Sequence, residues 1–184
     1  MPARETKRLR LVPINLTMVE AVLSRDKEAA DAALDRALAG LGWPTGARFP
    51  DSWPNDDLVA RAFPYSLAAI RAAPEVRLWG DTMVVTRDDP PRVLGSVVFK
   101  GLPADGVAEV GYGIEDGSRG QGLATEATLA CVEWALAQPG IVAVQAITFA
   151  GHLASLGVIK NCGMTPVGSR EHHIFGELLV FERR

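Results

Sequence analysis

Glu109-Val110-Gly111-Tyr112-Gly113-Ile114, followed by Gly117-Ser118-Arg119-Gly120-Gln121-Gly122-Leu123-Ala124-Thr125, is the stretch on which the reading of this chain turns. Its first part lies in a strand, Val107 to Ile114, that starts after a turn at Pro103 to Gly106. Its second part is a glycine-rich bend that opens a helix from about Leu123 to Ala137. Glycine lets a backbone come close to a ligand, and the first turn of a helix leaves N–H groups without partners. With the helix dipole these groups make an anion site suited to a pyrophosphate, and Arg119 can add a charged donor. Two known phosphate signatures fit poorly. Gly117 and Gly122 have the spacing of a P-loop, but Leu123 and Ala124 stand where Lys and Ser/Thr belong. A dinucleotide fingerprint would begin at Gly120 and Gly122, yet Thr125 takes its third small position, and the bend lies deep in the chain. A helix-entry turn with no ligand is the bland alternative, and the motif alone leaves it open.

On the carboxyl-terminal side, Gly140 punctuates the helix. Ile141 to Phe149 reads as a strand, Leu153 to Asn161 as a helix, and Met164 to Ser169 with Ile174 to Phe181 as two closing strands. On the amino-terminal side, Thr82 to Thr86 and Val93 to Phe99 are β-rich, and Asp88-Asp89-Pro90-Pro91 between them predicts an antiparallel hairpin. Leu9 to Ile14 predicts a first strand, and Thr17 caps a short helix through Leu23. Asp26 to Leu41 predicts a helix with Ala30, Leu34, Ala37 and Leu41 on one face, stopped by Gly40 and Gly42. Trp43 to Pro54 is a loop. Asn55 caps a helix from Asp56 to Arg71 that presents Leu58, Ala62, Tyr65 and Ala69 and kinks at Pro64. The expected order is β-α-α-β-β-β-α-β-α-β-β: one α/β (α+β) domain over residues 1–184, with a mixed sheet of about six to seven strands flanked by helices. No internal repeat, low-complexity tract or linker interrupts it.

Bulk properties narrow the function classes. The chain has 184 residues, enough for one domain with a substantial core. Its 19 basic and 22 acidic residues give a formal charge of −3, which argues against a nucleic-acid binder. No window approaches the ~20 apolar residues of a membrane span, and the charged Met1 to Arg10 segment lacks the apolar stretch of a signal peptide. Cytoplasm is the expected compartment. Cys131 and Cys162 stand in separate apolar segments, with neither zinc-ligand spacing nor a disulfide framework, so two buried reduced thiols and no metal are expected.

Arg119-x-x-Gly122-x-Ala124 resembles the Gln/Arg-x-x-Gly-x-Gly/Ala signature of the GNAT acetyltransferases. The neighbouring Glu109 to Ile114 and Ala124-Thr125-Glu126-Ala127 resemble the family as well. Ala154-Ser155, Val158 and Gly163-Met164 resemble its second conserved helix and the strand after it. Glu5-Thr6-Lys7-Arg8-Leu9-Arg10-Leu11 looks like the opening of the RimJ/RimL-like branch, and the stretch from Ala29 to Pro74 is the least similar.

The resemblance implies the acyl-CoA N-acyltransferase fold, acetyl-CoA as donor, and a primary amine as acceptor, on a protein N-terminus or a small molecule. The enzyme would be a monomer or a homodimer. Cofactor contacts would come from Ile114, Arg119, Gly120, Gln121, Gly122, Leu123, Ala124, Thr125, His152 and Ser155. Amides of Gln121 to Thr125 would hold the pyrophosphate, and the strand end at Ile114 would pair with the pantetheine arm and polarise the thioester carbonyl. Glu109, sharing a strand face with Gly111 and Gly113 whose missing side chains leave space beside it, is the general-base candidate. An exposed structural glutamate is the competing reading. Ser155, at the family's Asn-x-x-Ser position, is the candidate to protonate the departing thiolate or hydrogen-bond its sulfur; a first-turn serine bonded to nearby backbone is its plainer reading. Two positions depart from the family: His152 stands where Asn is usual, and Ile159 where many relatives carry a catalytic Tyr. His152 is read as a cofactor contact or a helix cap. His172-His173 reads as a surface turn. Trp43, Trp53 and Tyr65 fall where the family builds its acceptor cleft, although packing also explains them. Asp51, Asp56 and Asp57 suit a cationic acceptor or simply a solvated loop and helix start. Competing functions are a non-catalytic acyl-CoA sensor or docking module and a nucleotide-binding regulator built on the same bend.

Overall fold

The computed structural model describes residues 1–52, 54–72, 79–173 and 176–184. Helix α1, Leu16–Leu23, starts from Asn15, whose side-chain oxygen accepts from the Met18 N–H at 2.9 Å. The expected cap, Thr17, lies inside the first turn instead, because Asn15 already offers an acceptor at the extended position that a cap requires. Helix α2, Lys27–Gly40, is capped the same way by Asp26 on the Ala29 N–H. Ala30, Ala33, Leu34 and Leu38 form its buried stripe, and Leu41, just past its end, is exposed. Burying Leu34 and Leu38 completely stabilises the layer by about 2 kcal/mol each.

The single kinked helix expected from Asp56 to Arg71 is two helices, α3 Asp56–Arg61 and α4 Phe63–Ala72. Pro64 has no N–H to bond backwards, so the chain breaks before it and Pro64 takes a first-turn position where no donor is needed. The break rotates the second half. Phe63 and Ile70 are buried, while Tyr65, expected on the packed face, is 79% exposed.

Eight strands form one sheet: β1 Arg4–Glu5, β2 Leu9–Pro13, β3 Asp81–Thr86, β4 Val93–Phe99, β5 Val107–Ile114, β6 Ala143–Thr148, β7 Thr165–His172 and β8 Gly176–Arg183. The spatial order is β1-β2-β3-β4-β5-β6-β8-β7, and only the β5/β6 pair is parallel. The strand beyond the expected six to seven is β1, two residues long and therefore without any periodicity to read. The expected start of the final strand, Ile174, lies outside the described residues. Helices α5, Leu123–Leu136, and α6, Leu153–Asn161, follow β5 and β6.

Alternation along the strands splits the core in two. Leu9, Leu11, Val84, Leu94 and Val97 pack with α5 and α6 on one face; Val12, Ile14, Met83, Val85 and Val93 pack with α1, α2 and α4 on the other. Arg10 is buried among them, ion-paired to Glu5 at 3.0 Å and lying over the Trp43 ring at 6.0 Å.

The β5/β6 pair is closed at one end and open at the other. Val142 N–H bonds Gly106 at 2.8 Å where the two strands begin, and pairing continues only to Glu109↔Gln145. Past that point β5 stays with β4 as far as Ile114, while β6 stays with β8 as far as Thr148. The strands diverge, and the starts of α5 and α6 stand at their carboxyl ends. A crevice at the carboxyl ends of parallel strands is where open α/β sheets bind ligands.

Candidate active site

The mouth of the crevice is built by the glycine-rich bend. After a short 3-10 turn at Asp116–Ser118, Gly120 and Gly122 both adopt φ of 74°, a left-handed backbone that favours glycine. Gly122 is the N-cap of α5 and supplies no side chain to its first-turn N–H groups. A Cβ at Gly120 would meet open space, and one at Gly122 only the Arg8 guanidinium at 3.7 Å. The first amides of α5 therefore have no side-chain cap, at the positive end of a 14-residue helix. Arg119, exposed to solvent, pairs with Asp116 at 2.6 Å.

A clamp that composition and spacing did not reveal braces this bend. Arg8 donates to the Gln121 carbonyl at 2.9 Å and, through Nε and its own backbone N–H, to the two Glu126 carboxylate oxygens at 2.7 and 2.8 Å. Thr6 Oγ1 adds a bond to Glu126 at 2.6 Å. Burial pushes the Glu126 carboxyl up, but these bonds and the Arg8 charge outweigh it and hold the group below its usual value. Glu5 to Arg10 and Ala124 to Ala127 are thus two halves of one contact, distant in sequence.

Inside the crevice, the hydrogen-bond pattern of β5 selects which amides are free to meet a ligand. Glu115 N–H bonds Leu94 at 2.7 Å, and the Glu109 carbonyl accepts from Lys100 N–H at 2.8 Å. Antiparallel alternation then turns the odd-numbered residues toward β4 and aims the N–H groups of Tyr112 and Ile114 at the opening. The β4 side of this strand end is unusually tight: a Cβ at Gly95, where φ is 153°, would stand 2.0 Å from the Gly113 carbonyl oxygen.

Glu109 occupies the last paired position of β5, on the face opposite α5. Its side chain is 15% exposed and meets Lys100 at 2.7 Å, Gln145 at 3.3 Å and Arg170 at 3.8 Å. The expected open space beside it exists at Gly113 only. Over Gly111 runs the Lys100 side chain, whose Cε would lie 3.1 Å from an added Cβ. Lys100 needs that path to reach Glu109.

Ser155 sits in the first turn of α6, 9% exposed. Its partner comes from β5: Tyr112 Oη lies 2.9 Å from Ser155 Oγ and donates to the Ser155 carbonyl at 3.0 Å. Burial pushes the Tyr112 phenol up to about 12. Tyr112 was not among the expected site residues; its place in the strand was legible, its meeting with α6 was not. Ile159, at the position of the missing helix Tyr, is core. His152 is the N-cap residue of α6 but makes no side-chain cap bond; its ring stacks on Phe149 and its Nδ1 lies 3.3 Å from Thr148 Oγ1. It stands exposed at the crevice end of β6.

The other expected residues have local partners. Asp51 pairs with Lys27, and Asp56 with Arg25 at 2.6 Å. The Lys27 hydrogen bond and charge hold the Asp51 carboxyl below its usual range. A cavity of about 230 Å³ lies beside them, lined by Ala30, Phe49, Asp51, Pro54 and Val59 among others. Ser52 links this loop to the end of β5 through Glu115 at 3.4 Å. Trp53 and the Asp57 side chain lie outside the described residues. A larger cavity, about 340 Å³, is lined by Trp79, Pro103, Gly106 and Pro139 to Ile141, at the closed ends of β5 and β6 away from the bend. His172 and His173 stack on each other at 4.7 Å. Among the described residues no group of three or more His, Cys, Asp and Glu is arranged to hold a metal. No helix there is long and apolar enough to cross a membrane.

The sheet is mixed, and its parallel β5/β6 pair splays open between two helix starts, one of them on left-handed glycines, a crevice of the kind in which α/β enzymes bind ligands. Residues 8–165 match the family model described as Acetyltransferase (GNAT) domain; the chain belongs to that family and is an acetyltransferase. It is 26% identical over 160 residues to the uncharacterized N-acetyltransferase YjdG of Bacillus subtilis (strain 168), covering 86% of this chain and 87% of that one. Its fold resembles the ribosomal-protein-S5-alanine acetyltransferase of Vibrio fischeri, with a TM-score of 0.65, 13% identity, and 100% and 96% of the two chains covered. It also resembles RimL, a ribosomal L7/L12 alpha-N-protein acetyltransferase solved with coenzyme A, with a TM-score of 0.63, 13% identity, and 99% and 97% covered.

Proposed function

We propose that residues 1–184 form one RimJ/RimL-like transferase domain that moves the acetyl group of acetyl-CoA to the α-amine of a protein N-terminus, by direct attack in a ternary complex. The observation that carries the donor half is the uncapped start of α5 on Gly120 and Gly122, at the mouth of the parallel β5/β6 pair. The bend leaves room for an anion: a Cβ at Gly120 would meet nothing within 4 Å, and one at Gly122 only the Arg8 guanidinium. Amides of Gln121 to Thr125 hold its diphosphate, with Arg119 beside them. The Tyr112 and Ile114 N–H groups meet its pantetheine arm and thioester carbonyl, and His152 and Ser155 line the α6 side. Acetyl-CoA supplies an activated acyl group on a good leaving group. Ile114 stabilises negative charge on the carbonyl oxygen, Glu109 takes the amine proton directly or through a water, and Ser155 meets the departing sulfur.

The state of Glu109 bears on the acceptor. A carboxylate already shared among Lys100, Arg170 and Gln145 is a constrained base. An α-amine near pKa ~8 is roughly one-tenth neutral at pH 7, whereas a lysine near ~10.4 is neutral in fewer than about one molecule in a thousand. The α-amine asks far less of Glu109, and two of the folds this chain resembles belong to ribosomal-protein acetyltransferases. Cys131 and Cys162 are each 1% exposed, and burial raises both thiols, which supports direct transfer over an acyl-enzyme. The enzyme's site of action is the cytoplasm, where buried free thiols stay reduced, and it works as a monomer or homodimer.

Thiol release from acetyl-CoA is the test, measured with peptides bearing free amino termini, the same peptides N-acetylated, lysine side-chain peptides, and small primary amines. Turnover on free-terminus peptides that vanishes on N-acetylation is expected. Turnover confined to small amines overturns the acceptor assignment, and no binding of acetyl-CoA overturns the donor site.

A further inference from the structure

Tyr112 and Ser155 form the one contact between hydroxyl side chains from β5 and α6 among the described residues, and it spans the crevice where the two strands have parted. The phenol has one hydrogen and two acceptors in reach, the Ser155 carbonyl at 3.0 Å and Ser155 Oγ at 2.9 Å. Two arrangements follow. In the first, Tyr112 donates to the carbonyl and Ser155 donates to the phenol oxygen, so the serine hydrogen is turned inward. In the second, Tyr112 donates to Oγ, and the serine hydrogen is released toward the crevice. Rotation of two hydroxyls converts one into the other while every heavy atom stays in place.

We propose that Tyr112 is a positioning residue that, by donating to Ser155 Oγ, turns the serine hydrogen onto the sulfur of the departing thiolate. This rests on the donor reading given above. The inward arrangement suits a neutral thioester, which asks for no donor at sulfur; the outward one suits the charge that develops as the C–S bond breaks with both electrons on sulfur. Ser155 is 9% exposed and Tyr112 half-buried, so water competes poorly for either bond. Burial raises the phenol to about 12, well above the thiol range, so Tyr112 lends a hydrogen bond and keeps its proton. No bond to hydrogen breaks at Tyr112 or Ser155; the thiolate takes its proton from water as it leaves. The fold thereby supplies from a strand the hydroxyl support that Ile159 cannot supply from the helix.

The test compares wild type, Tyr112→Phe, Ser155→Ala and the double variant, with acetyl-CoA and with the acetyl selenoester of the same coenzyme, whose more acidic selenol needs little help to leave. Tyr112→Phe keeps the ring in the core and removes only the hydroxyl. It should lower kcat with acetyl-CoA about tenfold, leave KM for acetyl-CoA within about twofold, and recover most of the loss with the selenoester. The double variant should be no slower than Ser155→Ala. A kcat within about twofold of wild type, an equal loss with both donors, or additive losses would overturn the assignment while wild-type turnover leaves the donor reading standing. A wild type that neither binds acetyl-CoA nor releases thiol overturns both. If Tyr112→Phe does not fold, Ser155→Ala carries the test: a loss that the selenoester does not relieve overturns the proposal.

Discussion

The half of the molecule from β5 to α6 and the helical layer α1 to α4 place their polar groups by different means. At the mouth of the crevice the exposed polar groups are largely backbone: left-handed glycines at Gly120 and Gly122, N–H groups of β5 turned toward the opening, a helix start with no side-chain cap. Side chains such as Arg8 and Glu126 brace that backbone from outside. In the helical layer the polar groups are side chains, already satisfied by neighbours: Asp51 by Lys27, Asp56 by Arg25, Asp35 by Arg48 at 3.1 Å and Glu20 by Arg71 at 2.9 Å. A site made of backbone tolerates much change in sequence as long as the glycines remain. A site made of side chains can be rebuilt for a new acceptor by a few exchanges of partner.

The sharpest way to break the comparison is to fill the space where two strands touch. Gly95→Ala would put a Cβ 2.0 Å from the Gly113 carbonyl oxygen, and neither backbone can yield without unpairing the end of β5. A loss above about 3 kcal/mol is expected, read from denaturant unfolding, with coenzyme affinity lost alongside. Leu34→Ala opens a cavity in the helical layer and should cost about 2–4 kcal/mol. It should nevertheless leave the affinity for acetyl-CoA unchanged by isothermal titration, and a coenzyme site weakened tenfold or more would show the two halves to be energetically continuous.

The clamp on the bend makes a pH prediction. Glu126 has its carboxyl depressed in the folded chain, so its contribution is complete above the usual glutamate value of 4.5 and disappears as pH falls through the depressed value. Wild type should lose stability over that acidic window by more than Glu126→Gln does. The difference should stay under about 1 kcal/mol, because Arg8 is 44% exposed and water screens the pair. Equal acid profiles would relegate the clamp to geometry alone. The smallest effect is expected at Asp51→Asn. Its carboxylate is fully in solvent, so unfolding and the KM for a peptide amine should both match wild type. A raised KM would place Asp51 on the acceptor path after all.

Legibility followed the same division. The glycine bend, the strand before it and the helix after it were readable because each rests on local rules: left-handed φ needs glycine, and apolar periodicity marks strand and helix. The break between α3 and α4 was half readable, since Pro64 announces a disturbance but not the rotation that leaves Tyr65 in solvent. Trp43 was read as packing or as part of an acceptor cleft; in the fold it packs against the helical-layer core with Arg10 of β2 over its ring. The open space expected beside Glu109 remains at Gly113 but is taken up over Gly111 by Lys100, the residue that follows the neighbouring strand.

From the order of residues alone came the element types, the family signature and the position of the glycine-rich turn, because periodicity and glycine placement act over a few residues. The insertion of β8 between β6 and β7, the parting of β5 from β6 after Glu109, the clamp of Arg8 on Glu126 and the meeting of Tyr112 with Ser155 were decided only by the tertiary structure. Each joins groups between about 35 and 120 positions apart or depends on strand order, and no local rule of propensity or spacing reaches that far.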